Sequence, residues 1–435
     1  MKQKNAHDTY FLSRIKNKMN GFSRLEKYIA VAGLFIFVFS VIVSRRPDII
    51  FNAQPWAEDG KIWMENIYNN GFWNSLIYPQ NGYYQTISRI TYGMAILTGI
   101  SNAALVANII AISIRCFFVL FVLSGRMSFI RMPYRIAAVI YFLLMPNLTE
   151  GYVNITNVHW YLSLYLMAVV LADDGKEVVW KIHDFTLLII SSLSGPFVVF
   201  IAPCLLIKRV SQRGGIVKAI KGINAFDITM VVCCIIQVAA ILNSSDTGRS
   251  SAPLGASFSL LADVISYRVI GGSLFMNDRI SDMGSMHVLN ILLFIALIFL
   301  VVIFFFRCGW RFKSAVLFPV LMIGFALAKP MMSLDQPQWP TLLIPGGGER
   351  YFFITNFAFF SLLLYVVSRI SPKSLAPLMI ISIMALTVLL RGFSIPPMAE
   401  VGYREDIKSF NALPTGESMQ IRINPPGWSM HLHKK

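Results

Sequence analysis

Charge is scarce in this chain, and what there is of it is lopsided. Only 14% of the 435 residues are Asp, Glu, Lys or Arg, against roughly 25% in a soluble domain. With 56% hydrophobic residues and a mean hydropathy of +0.61, a water-soluble fold of this length lacks the polar surface to cover its core. Acids are scarcest, with 22 Asp/Glu against 38 Lys/Arg. The basic surplus does not point to nucleic acid. The bases fall in short loops between apolar runs, and that spacing is a topology signal. Cysteines are few: Cys116, Cys204, Cys233, Cys234 and Cys308 lie in or beside apolar runs. That excludes a disulfide framework and a zinc-ligand pattern and leaves small core residues. No internal repeat or low-complexity segment is present, which weighs against transporters assembled from duplicated halves. The apolar run Tyr28 to Ser44 ends in Arg45-Arg46 without a small-residue cleavage site, so it reads as a spanning helix rather than a removable signal.

What is present is a succession of apolar runs near the roughly 20 residues a helix needs to cross a bilayer. Backbone groups cannot face lipid unpaired, so a helical bundle is the default. The expected fold class is an all-α polytopic membrane protein of about ten transmembrane helices, with a re-entrant hairpin and with interfacial helices in the first outside loop. Residues 1–27 form a basic cytoplasmic tail, 28–391 the membrane domain and 392–435 a short extracytoplasmic tail. Spans are expected at 28–44, 103–124, 134–148, 160–172, 226–243, 287–306, 314–328, 351–368 and 374–391. Within the outside loop 45–102, the stretch Tyr84 to Leu97 is short and contains Arg89, which suits a helix lying at the interface. Segment 185–207 is broken by Ser194-Gly195-Pro196 and is basic on both flanks. Two half-helices that dip in and return fit that pattern better than one crossing. With this map the inside segments carry 22 of the 38 bases and six of the 22 acids. The N-terminus is therefore expected in the cytoplasm and the C-terminus outside.

Chemistry is expected in the outside loops. Glu58 and Asp59 stand together just beyond the first helix, between Trp56 and Trp63. Two adjacent carboxylates repel, which favours a shared proton and general-base work; the pair equally suits the first turn of a helix. The aromatic and amide-rich stretch Tyr78 to Tyr84, including Tyr83, can stack on sugar rings and bond hydroxyls, or form an interfacial aromatic belt. Asn154, Asn157, His159 and Trp160 stand at the mouth of the fourth expected span, where they can hold a sugar or phosphate or serve the fold. Gly346-Gly347-Gly348 precede Glu349, Arg350 and Tyr351 at a helix N-terminus. Backbone N–H groups and the dipole attract anions there, and an arginine at the hydrocarbon edge is costly unless paired or functional. In the tail, Ile421 to Ile423 followed by Pro425-Pro426-Gly427 reads as a strand and turn, with Trp428 either covering a site or anchoring the tail.

This arrangement resembles the GT-C superfamily of polyprenyl-phosphate-sugar-dependent glycosyltransferases. The shared features are an acidic site just past the first helix, interfacial helices, a helix pair with a basic turn, and a break like Leu193-Ser194-Gly195-Pro196. In size the chain is similar to the phage-type glucosyltransferases that decorate O-antigen. The resemblance implies Glu58 or Asp59 as base, Arg350 as the phosphate-binding cation with Lys329 and Arg89 as helpers, and no cofactor or metal. It implies a polyprenyl-phosphate sugar as donor, a glycan or lipid-linked glycan as acceptor, and a bacterial inner membrane. Two rival classes remain: a transporter or flippase for lipid-linked substrates, and an O-antigen ligase or polymerase. Arg115 is the one clearly mid-helix charge, which fits surface chemistry better than a conduction path. The large acid-bearing loop comes first in the chain, which weighs against a ligase.

Overall fold

The computed structural model describes residues 23–244, 250–370, 379–380, 383–384 and 392–435. Most of the basic tail and most of the expected span 374–391 lie outside them. Helix α1 (Arg24–Arg45) starts at a capping box in which Ser23 and Glu26 satisfy each other's backbone N–H groups. There follow α2 (Thr86–Ile96), α3 (Ala103–Leu123), α4 (Met132–Leu144) and α5 (Val158–Leu171). Next come α6 (Val178–Ser192), α7 (Val198–Arg213), α8 (Ala225–Leu242) and α9 (Phe258–Val264), the last running into a π-helix, Ile265–Gly271. The chain continues with α10 (His287–Arg307), α11 (Trp310–Ala328), α12 (Glu349–Ile370) and α13 (Tyr403–Ala412).

Among the described residues six helices are long and apolar enough to cross a membrane: α1, α3 with its preceding turn, α8, α10, α11 and α12. The protein is a mostly helical, multi-pass membrane protein. The expectation of about ten full-length spans is not met among these residues. Helices α4 and α5 have 13 and 14 residues, roughly 20 Å at 1.5 Å per residue. Every residue of α5 except Leu171 is buried, so this helix is the centre of the bundle and has protein, not lipid, around it.

Segment 185–207 is two helices that turn back. The start of α6 and the end of α7 are tied together, since Lys208 and Arg209 both bond Asp174, at 2.7 and 2.5 Å. The apex at Ser194-Gly195 sits at the far end, where Ser194 pairs with Gln85 and the Gly195 N–H donates to the Tyr84 carbonyl at 2.8 Å. The sequence break works as a turn because Gly195 adopts φ 109°, a left-handed conformation that a side chain resists.

The loops divide into two sets. Arg126 with Asp184, Arg311 with Asp173, and Arg209 and Arg213 with Asp227 join at one end. At the other end lie the first loop, the hairpin apex, the 145–157 loop, the start of α12 and the tail. The partition matches the one drawn from charge. Three elements do not follow the sequence reading. The outside loop 244–286 contains α9 and its π-helical continuation, buried against α10 and α12; the mixed polarity of Asp263, Ser266 and Arg268 hides its apolar face. The all-α fold class gives way in the tail, where the strand and turn read at Ile421 to Gly427 is part of an antiparallel hairpin of β1 (Ser418–Ile423) and β2 (Trp428–His433). Finally, the tail is a folded unit rather than a loose end. Ile421, Ile423, Met430 and Leu432 alternate inward, Arg422 and Asp406 clamp α13 to β1, and the Ala57 N–H donates to the Asn424 carbonyl at 2.5 Å.

Candidate active site

The acidic pair is split by its own backbone. Ala57 has φ 45°, and the turn it makes sends Asp59 inward and leaves Glu58 half-buried. Gly60 packs closely there: a Cβ would meet Ile423 Cδ1 at 2.6 Å and displace that side chain. Asp59 is 1% exposed and accepts three hydrogen bonds: from the Ile155 N–H at 3.1 Å, the Thr156 N–H at 2.8 Å and the Thr156 hydroxyl at 2.5 Å. The same hydroxyl accepts the Trp63 indole N–H at 2.9 Å. Burial pushes the Asp59 carboxyl up to about 7; the bonds from Thr156 and Ile155 pull against it, and the neighbouring Glu58 charge adds to it. Asp59 is thus a staple between the first loop and the 145–157 loop. Glu58 makes no hydrogen bond or ion pair among the described residues, and its charge acts on Arg350.

Arg350 enters from the opposite side. Gly346 and Gly348 turn the chain with φ 80° and 60°, and α12 begins at Glu349. The Arg350 guanidinium bonds the Glu150 carboxylate, donates to the Met331 carbonyl at 3.2 Å and lies over the Tyr351 ring at 4.8 Å. Glu150 also accepts the Arg350 backbone N–H at 3.4 Å. A carboxylate therefore occupies the anion position that a helix N-terminus offers. The Glu150 N–H donates in turn to Glu349 at 3.2 Å. Beside these groups lies a small cleft with about 10 Å³ of room for water-sized groups. It is lined by the polar Arg350, Glu349 and Asn157 and by Leu148, Tyr161 and Phe353.

Asn157, Trp160 and Arg350 line this cleft. Tyr351 packs against Arg350 and edge-on to Trp160 at 6.1 Å, and Glu58 and Tyr83 lie close enough for their charges to act on Arg350. Asn154 is one step back, accepting the Asn157 N–H at 2.9 Å and shaping the turn. Lys329 is exposed at the end of α11, two residues before the Met331 carbonyl that Arg350 bonds. The remaining candidates stand apart. His159 is buried and stacks on Phe197 at the hairpin apex, 5.5 Å between rings. Arg89 is 2% exposed, lies over the Trp63 ring at 5.0 Å, and burial lowers its guanidinium to about 10. Trp56 bridges to Asn424, and Trp428 covers the Lys61 ammonium at 5.4 Å.

Glu150 and Thr156 were not singled out from the sequence; the alternative of Arg350 salt-bridged to Glu349 or another outside acid is met by Glu150. Glu150 is the one acid in its loop, and an acid at the membrane edge opposite an unpaired arginine was a usable signal. Thr156 carries none.

No protein-family model, no curated protein and no solved structure matches this chain. The site therefore rests on its own geometry.

Proposed function

We propose that the chain is a membrane glycosyltransferase of GT-C type. It would move a hexose, glucose by the narrower resemblance, from a polyprenyl-phosphate donor to an extracytoplasmic glycan such as O-antigen. The reading places the cleft at the periplasmic face of a bacterial inner membrane, with the C-terminal unit on that side and the basic end in the cytoplasm. One observation supports it: the Glu58 carboxylate, which makes no side-chain hydrogen bond among the described residues, lies near enough for its charge to act on Arg350, a cation at a helix N-terminus that lines the cleft.

The chemistry follows from that pair. Glu58 takes the proton of an acceptor hydroxyl, whose oxygen attacks the anomeric carbon. The bond from that carbon to the phosphate oxygen breaks on the opposite face, with inversion, and polyprenyl phosphate leaves as an anion. Arg350 and the N–H groups of α12 stabilise the developing charge, with Lys329 as a second cation. Glu150 holds the place of that anion until the donor enters. Asp59 is a positioning residue, because both of its oxygens are already bonded and water does not reach them.

The test is transfer of radiolabelled sugar from synthetic polyprenyl-phosphate glucose to lipid-linked glycan by the purified chain, with Glu58→Gln and Asp59→Asn compared. Loss in the first and retention in the second, scaled to folded protein, is the expected outcome. Full activity in Glu58→Gln ends the assignment. Uptake of the lipid-linked sugar into liposomes without transfer would instead favour a flippase.

A further inference from the structure

Among the described residues six acids stand at the basic end; Glu26 caps α1 through the Ser23 N–H, and of the five around the hairpin feet four are consumed internally. Asp173 is taken by Arg311, Asp174 by Lys208 and Arg209, Asp184 by Arg126, and Asp227 by Arg209 and Arg213. Glu177 is the fifth. Lys176, Lys181, Lys218 and Lys221 are exposed there, and their side chains make no hydrogen bond or ion pair among the described residues. Interleaved with them are Val178, Val179, Ile182, Ile216, Val217 and Ile220, between 59% and 73% exposed. The two stretches belong to one surface. Arg209 links Asp174, just before α6, to Asp227 at the start of α8, and Arg213 fixes the intervening short helix through the Ala219 carbonyl at 2.8 Å.

Such a surface is unfavourable in water, where six aliphatic side chains would stay wet. It is equally unfavourable in hydrocarbon, where four ammonium groups would be stranded. The boundary layer satisfies both, with the aliphatics against acyl chains and the lysine stems reaching up to the headgroups. Four of the local acids are already spent and Glu177 alone cannot balance four lysines, so the remaining counter-charge must come from outside the chain. We infer that the feet of the α6–α7 hairpin bind anionic phospholipid headgroups, through Lys176, Lys181, Lys218 and Lys221, as a lipid site separate from the cleft and independent of the proposed activity. Anionic headgroups attract basic side chains at this depth and the attraction weakens with salt.

The experiment offers the purified full chain an equal mixture of phosphatidylglycerol and phosphatidylcholine and counts retained lipids by native mass spectrometry. The wild type should prefer phosphatidylglycerol, and the variant with all four lysines changed to Gln should lose at least about tenfold of that preference. Inorganic phosphate should not displace the lipid. An unchanged preference in the variant, no preference in the wild type, or full displacement by phosphate would overturn the inference. Should the fourfold variant fail to fold, the wild type in nanodiscs decides. Its melting temperature should rise with phosphatidylglycerol and the rise should shrink with salt; a rise that ignores salt sinks the idea.

Discussion

Arginines at the two ends of the bundle are satisfied in different ways. At the basic end Arg126, Arg209, Arg213 and Arg311 each hold an aspartate, while Arg135 donates to backbone carbonyls. At the other end Arg45, 1% exposed, donates to the carbonyls of Leu143, Met145, Gly392 and Phe393. Arg268, also 1% exposed, donates to those of Leu342 and Ile344. Backbone carbonyls satisfy a guanidinium's hydrogen bonds without cancelling its charge. The aspartate-held arginines are neutralised from within, while Arg45 and Arg268 keep positive charge beneath the surface. On the proposed function, Glu58, whose side chain makes no hydrogen bond among the described residues, is the group left for a substrate.

The contrast predicts a division between variants that stop the reaction and variants that loosen the fold. The largest effect should come from Glu58→Gln, which should lower sugar transfer by about 10²- to 10⁴-fold with little change in melting temperature. Next is Arg350→Met, for which transfer assays should show a loss of about 10²- to 10³-fold; Glu150→Gln, by removing the competing carboxylate, should instead lower the KM for donor. At the basic end, Arg209→Met leaves Asp227 to Arg213 alone and Asp174 to Lys208 alone and should cost about 1–3 kcal/mol in denaturation while transfer per folded molecule holds. If Arg209→Met abolished turnover at unchanged stability, the division between the ends would be wrong.

Asp59 sharpens the comparison through pH. Its folded carboxyl titrates at about 7 against an ordinary value of 3.8. Between those values the folded state holds a proton that the unfolded chain has released, so stability falls as pH rises through this window and levels off above it. Melting curves of Asp59→Asn, neutral throughout, should show a flatter slope over the same range. The smallest effect is expected for Trp428→Ala, which removes an exposed cation–π contact worth about 0.5–1 kcal/mol. A transfer defect of tenfold or more in that variant would make the C-terminal hairpin part of the site.

Much of this was legible from residue types. The apolar run of α1, the basic turns and the Ser194-Gly195-Pro196 break are local signals, so six of the expected spans, the two sets of loops and the hairpin could be read directly. Helix α9 was not legible, because its polar residues are satisfied by distant partners: Asp263 bonds His287 at 2.7 Å and Asn290 at 2.8 Å. The site was half legible. Glu58, Asp59 and Arg350 stood out as charges beside apolar runs, yet their separate roles did not.

By itself the amino-acid sequence determined that the chain lives in a bilayer, which loops share a side and where charge meets the hydrocarbon edge, because hydropathy and loop charge act residue by residue. Only the tertiary structure decided that Asp59 is bonded shut while Glu58 is open, and that Glu150 occupies the anion position at α12. Those outcomes depend on which donors from residues about a hundred or more positions away reach a buried carboxylate, and burial and partnership belong to the packed chain.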